Sequence, residues 1–244
     1  MKNLLLLLCL GGLFLPDGFK EKQLQHERVS TAYREKHLIL EKLLQGKGLS
    51  LQHLELYLRA FKHEKTLEVW ARNSPEQAFQ LLTSYELCAR SGTYGPKRQE
   101  GDGQIPEGFY VIDRFNPKSN YHLSLGINYP NASDKLLGHP KPGGDIFLHG
   151  DCVTLGCLAL TDDKIKELYV LAVEAYAQGQ TQIPVHLFPI RFDSPAFAQV
   201  KKKYAQNPKL FSFWENLQTG YFFFEQHKTL PTVTVNSTGN YVVE

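Results

Sequence analysis

The chain has almost no net charge to offer a partner. Its 27 lysines and arginines are balanced by 25 acidic residues, and the remaining +2 is dispersed along the sequence. Nucleic-acid recognition draws on a concentrated basic patch or stripe, so there is no electrostatic case for that ligand as the main one. Long apolar runs are also wanting. The run from Leu4 to Leu15 is too short to cross a bilayer comfortably; with Lys2 before it and Pro16-Asp17-Gly18 after it, it reads as a secretory signal. No Ala-x-Ala cleavage pattern accompanies it, so an uncleaved N-terminal anchor is the alternative, while a lipoprotein signal at Cys9 is disfavoured by Leu8, where a small residue is wanted. The expectation is export to the periplasm or cell envelope.

Cysteine is scarce. Only Cys9, Cys88, Cys152 and Cys157 occur, and removal of a leader leaves an odd number, hence at least one free thiol. Internal repeats and low-complexity tracts are absent. What remains is a 244-residue chain with 42% hydrophobic content, enough for one catalytic domain with helical additions.

Glu21 to Gln45 reads as an amphipathic helix that packs on the domain as a spacer, closed by Gly46 and Gly48. The period then changes. Leu54, Leu56 and Leu58, then Leu67, Val69 and Ala71, alternate with polar residues on either side of Lys62-His63-Glu64-Lys65, which predicts a β-hairpin. A further strand is expected within Phe79 to Ala89, with Cys88 as a core thiol, and others at Phe109 to Ile112 and Tyr121 to Ile127. Thr161-Asp162-Asp163 looks like a helix start leading into Lys164 to Ala177, followed by a strand at Ile183 to Phe188. Phe197 to Tyr204 and Phe211 to Leu217 read as helices, Tyr221 to Phe224 as aromatic core, and the tail from Pro231 as extended.

The chemistry concentrates in His149-Gly150-Asp151-Cys152-Val153-Thr154-Leu155-Gly156-Cys157. Asp145 to Leu148 reads as a buried strand that ends on the histidine. A thiol becomes a nucleophile when a base takes its proton, and His149 is the candidate base for Cys157. Gly156 permits a close backbone approach, so the N–H groups of Gly156 and Cys157 are the candidate oxyanion donors.

His149-Gly150 followed by Thr154-x-Gly156-Cys157 resembles the signature of the L,D-transpeptidase (YkuD-type) catalytic domain. Pro96-Lys97-Arg98-x-Glu100-Gly101-Asp102, Pro106-Glu107-Gly108-Phe109-Tyr110, Tyr121-His122-Leu123-Ser124 and Asn128-Tyr129-Pro130-Asn131 with Asp134 are similar to the YafK-like branch of that family. The resemblance runs from about Leu54 to Phe192, with the Phe213-Trp214 region similar to that branch's C-terminal extension. It implies a mainly β domain with flanking helices (α+β, a YkuD-like β-sandwich), acting on peptidoglycan stem peptides. Cys157 would be the nucleophile and His149 its base. A thioester would pass to an amine or to water, and no cofactor is required. Arg98, Tyr121, His122, Gly150 and Thr154 are the candidate substrate contacts, although Arg98 also reads as a plain surface charge and Tyr121-His122 as a strand pair. The expected organisation is a leader or anchor at 1–18, a helical segment at 19–50, the catalytic domain at 51–192 and a helical extension with a tail at 193–244.

Two departures bear on the acceptor. Leu155 stands where many members carry a second histidine, and Ala159 where many carry arginine or asparagine. The YafK-like branch includes hydrolases that release a lipoprotein from peptidoglycan, so an envelope lipoprotein is a second candidate partner. Three rival readings remain open at this point. Cys152 could be bridged to Cys157 or to Cys88; His149, Cys152 and Cys157 could hold a metal, although their spacing fits no usual zinc pattern; and the fold could serve as a peptidoglycan-binding module without turnover.

Overall fold

Alternation in two strands divides the core of the computed structural model, which describes residues 18–244. Strand β1 (Glu55–Phe61) sends Leu56, Leu58 and Ala60 into one hydrophobic cluster, while Phe61 enters a second and Tyr57 a third. Strand β8 (Ile183–Phe188) does the same with Ile183, Val185 and Leu187 against Phe188. Both faces of the central sheet are therefore covered.

The expected hairpin is present: β1 pairs antiparallel with β2 (Thr66–Arg72), and Phe61 lies opposite Thr66 across the four-residue turn. The remaining strands are β3 (Gln80–Glu86), β4 (Gly108–Asn116), β5 (Ser124–Ile127), β6 (Phe147–His149) and β7 (Leu158–Ala159). Together they form one eight-stranded sheet in the order β3-β2-β1-β8-β4-β5-β6-β7. The pairing is mixed, with β1–β8 and β6–β7 parallel and the other neighbours antiparallel. The α+β class expected from the sequence is met by this one curled sheet and its helices.

On one face lie α2 (Glu27–Gln45) and α4 (Asp162–Ala177), which supply Val29, Leu40, Leu44, Leu168 and Leu171 to the larger, mainly aliphatic cluster. Thr161 caps α4 as expected, its side chain accepting from the Lys164 N–H. The Glu21–Gln45 stretch breaks at Gln25-His26 into α1 (Phe19–Leu24) and α2. The short helix α3 (Ala132–Leu137) starts with a reciprocal box in which Asn131 and Asp134 cap each other's backbone.

The other face is covered by α5 (Pro195–Lys203) and α6 (Pro208–His227), which present Phe197, Trp214 and Tyr221 to Phe61 and Phe188. Helix α6 is longer than the sequence reading allowed and absorbs the Tyr221 to Phe224 run. Helical spacing buries Tyr221 and Phe224 and leaves Phe222 exposed, so that run is core on one side only. Alternation of apolar and polar residues, as in β1, is ordinarily the mark of a half-buried strand. The polar side is buried too, because α6 covers it: Arg59 is held by Glu68 at 2.8 Å and Glu225 at 2.6 Å among aromatic rings. The extended tail forms a hairpin of β9 (Val233–Val235) and β10 (Tyr241–Val243).

Cys88 is not a core thiol. It is bridged to Cys152, with Cα atoms 5.4 Å apart and a sequence separation of 64. Closing a loop of that length in the unfolded chain is an entropic contribution of about 4 kcal/mol in the simple chain model. The expected leader from Leu4 to Leu15 lies outside the described residues. Among those described, no helix is long and apolar enough to cross a membrane.

Candidate active site

The catalytic-type run occupies the end of the sheet where β6 and β7 lie side by side. His149 pairs in register with Ala159, two residues beyond Cys157, so the strand that carries the histidine runs beside the one that the cysteine leads into. Strand side chains alternate, which puts Phe147 and His149 on one side of β6. All three, Phe147, His149 and Cys157, line a cleft of about 510 Å³.

Cys157 is the free cysteine among the described residues. Its Sγ accepts from the Phe147 N–H at 3.4 Å and lies 3.7 Å from the Asp145 carbonyl. Burial pushes the thiol pKa up; the Phe147 N–H favours the thiolate, and the nearby Asp145 carboxylate opposes it. His149 is almost fully buried, and burial pushes its pKa down. Its Nδ1 sits 2.5 Å from the Gly150 carbonyl oxygen, an acceptor, so Nδ1 carries the ring proton and Nε2 is left as the basic nitrogen. The resting pair is thus a neutral imidazole and a protonated thiol. Proton transfer has to accompany attack.

Local interactions hold this geometry. Gly156 adopts φ +101, and a Cβ there would meet the Gln104 carbonyl oxygen at 3.0 Å. Asp162, at the start of α4, accepts from the Asp151 N–H at 2.9 Å, and its carboxylate occupies the space that a side chain on Gly150 would need. The disulfide ties Cys152 to the segment after β3, from which Ser91 reaches Gly156. That bridge also removes Cys152 from any metal-ligand set, against the zinc reading.

Both candidate oxyanion donors are engaged elsewhere in this structure. The Gly156 N–H donates to Ser91 Oγ at 2.7 Å, and the Cys157 N–H donates to Thr154 Oγ1 at 2.9 Å, so neither expected donor is free in this state. Thr154 in turn donates to the Cys157 carbonyl at 2.9 Å, closing a small ring around the cysteine. Its first role is to fix the cysteine backbone, although it also lines the cleft.

Of the other candidate contacts, Tyr121 is brought into the site, with its ring 4.8 Å from that of His149 and its side chain about half exposed. Helix α2 positions the loop around it: Arg28 donates to the Ser119 and His122 carbonyls, which flank Tyr121, at 2.5 and 2.6 Å. His122 does not line the cleft. It takes up φ +66 and packs behind Gly150. Arg98 is also absent from the cleft; it pairs with buried Asp134 at 3.0 Å and lies over the Phe213 ring, 4.9 Å from its centroid. Asp145 and Phe147, expected only as part of a buried strand, line the cleft, and Ser91, not among the candidates, holds the Gly156 N–H. The Gly143-Gly144-Asp145 turn was the available signal, since Asp tolerates the left-handed φ of +55 observed there.

The L,D-transpeptidase catalytic domain, YkuD, matches residues 57–185. Two proteins named as L,D-transpeptidase YafK, from Escherichia coli strain K12 and from Escherichia coli O157:H7, are each 38% identical over 190 residues, covering 77% of this chain and 73% of theirs. Among solved structures, the helical cell shape determining protein Pgp2 from Campylobacter jejuni is 19% identical, with 75% of this chain and 73% of that one covered at a TM-score of 0.46.

Proposed function

Because the chain belongs to the L,D-transpeptidase (YkuD) catalytic-domain family, whose members act on peptidoglycan stem peptides, we propose that it is a cell-envelope cysteine acyltransferase working through a thioester on Cys157. The observation that carries this reading is the free Cys157 thiol lining the same cleft as His149, whose Nε2 is left unprotonated by the Nδ1 bond to Gly150.

His149 Nε2 takes the thiol proton as sulfur attacks the carbonyl carbon of the stem's third, diamino-acid residue. The tetrahedral intermediate collapses, the C–N bond to the following residue breaks, and the imidazolium returns the proton to the leaving amine. The thioester then passes its acyl group to an incoming amine, which loses a proton to His149, and the thiol is restored. Negative charge on the intermediate needs a donor; release of the Gly156 N–H from Ser91 or of the Cys157 N–H from Thr154 would supply one.

Water in place of the amine gives a hydrolase that trims stems or releases an attached envelope lipoprotein. One observation favours keeping this reading: Ala159, at the position of the family's polar residue, is wholly buried in β7 and offers an acceptor nothing polar. Export to the envelope, with the N-terminal run as signal or anchor, belongs to the same proposal.

Intact mass after incubation with a carbapenem should show one covalent adduct, lost in Cys157→Ala. An adduct that survives this substitution overturns the assignment. Digestion of purified muropeptides then separates the two products, with new cross-links between diamino-acid residues from a transferase and shortened stems or freed lipoprotein from a hydrolase.

A further inference from the structure

The cleft carries little charge. Asp145 is the one carboxylate lining it among the described residues, and no lysine or arginine lines it. Its side chain is 83% exposed, and its carbonyl lies beside the Cys157 sulfur.

Asp145 is also held in place. A bulge in β4 between Ile112 and Arg114 leaves Asp113 as the extra residue and brings Arg114 opposite Gly126. A Cβ on Gly126 would lie 2.8 Å from Arg114 Nε and 3.0 Å from the Phe147 ring, so the absent side chain is what lets the guanidinium cross to the cleft. There it lies 4.9 Å from the Phe147 ring centroid and donates from Nη1 to Asp145 Oδ1 at 2.9 Å. Its Nε donates to Asp113 and its Nη2 to the Ile127 carbonyl, so each arm of the guanidinium is used. Asp145 Oδ2 has no partner among the described residues. Asp113, Arg114 and Asp145 together leave one negative charge at the rim.

We propose that Asp145 is a specificity residue that selects, beside Cys157, peptides bearing a positively charged amine, and that Arg114 is its positioning residue. This rests on the acyl-transfer reading and deepens it: the cation is the side-chain ammonium of the diamino-acid residue whose carbonyl Cys157 attacks. An ammonium on Oδ2 forms a charge-assisted hydrogen bond in a cleft that offers a cation no other anion. It also cancels the field with which Asp145 opposes the Cys157 thiolate, so recognition and activation of the nucleophile are coupled.

The test reads release of the terminal residue from two synthetic tetrapeptide stems, each given the same excess of glycine amide as acyl acceptor, that differ only in whether the third residue's side-chain amine is free or acetylated. The wild-type protein should process the free-amine stem with kcat/KM about tenfold above the acetylated one, as one charged hydrogen bond allows. Asp145→Asn should bring that ratio close to one, mainly by raising KM for the free-amine stem, and Asp145→Glu should restore part of the preference. Arg114→Gln should reduce the ratio without removing it. Thermal melting of each variant establishes that it is folded. A wild-type ratio near one, or a ratio unchanged in Asp145→Asn, overturns the proposal. Failure of both stems to react, in protein that also takes no carbapenem adduct, overturns the acyl-transfer reading and this proposal with it; failure of the ratio alone leaves the acyl-transfer reading standing.

Discussion

Two arginine–aspartate pairs stand in opposite surroundings. Arg98 and Asp134 meet at 3.0 Å beneath the surface, with the aspartate side chain 1% exposed, accepting also from Tyr110 Oη at 2.9 Å and capping α3. Arg114 and Asp145 meet at 2.9 Å on the rim of the cleft, with 42% and 83% of their side chains exposed. The contacts are nearly the same in length. Burial makes the first an internal fastening that joins β4, α3 and the loop at 98–102, and exposure leaves the second with a free oxygen facing the space where a substrate would lie. Ion-pair geometry alone therefore does not identify a functional charge.

The largest effect should come from breaking the buried pair. Arg98→Ala strands the Asp134 carboxylate away from water and should destabilise the fold by about 3 kcal/mol, read as a lower denaturation midpoint. If stability is retained and stem turnover is lost instead, Arg98 is a substrate contact after all.

The buried pair should also leave a mark on the pH dependence of stability. Burial pushes the Asp134 pKa up to about 6, against the pull of Arg98. A carboxyl with a folded value above its unfolded value of about 3.9 binds its proton more tightly when folded. Its contribution is present at low pH and lost as pH rises through about 6, of order 2 kcal/mol relative to Asp134→Asn. Parallel melting curves for the two proteins across that range would contradict this.

In the cleft the titration that matters is kinetic. With the His149 pKa pushed down by burial, the basic form persists in acid, and the acid limb of kcat/KM should lie below the ordinary histidine value of about 6.5. A limb above that value would mean that another group, or a charged imidazole, governs the reaction.

Smallest of all should be the stability cost of Arg114→Ala. An exposed pair is screened and solvated, so the midpoint should move by only about 0.5 kcal/mol while discrimination between free and acetylated stems falls. A loss as large as that of Arg98→Ala would erase the contrast between the two pairs.

Much of the site was legible because its signals are local. His149, Gly150, Gly156 and Cys157 lie within nine residues, and the cap at Thr161, the hairpin around Lys62 to Lys65 and the α4 pattern are set by neighbours along the chain. The place of Arg98 outside the cleft was not legible for the converse reason: its partner Asp134 is 36 residues away, and nothing in the local sequence shows that the pair is buried. The engagement of the Gly156 N–H was hidden similarly, since Ser91 comes 65 residues before the amide it engages.

By itself the sequence determined the period of the strands, the start of α4 and the His149–Cys157 run, because backbone propensity, capping and glycine conformation act over a few residues. Tertiary structure alone decided that β6 lies beside β7, that Cys88 bridges Cys152, that α6 buries the second face of β1, and that Asp145 faces the cleft while Arg98 does not. Those outcomes depend on burial and on charges brought together from distant parts of the chain, and such surroundings come into being only when the chain is folded.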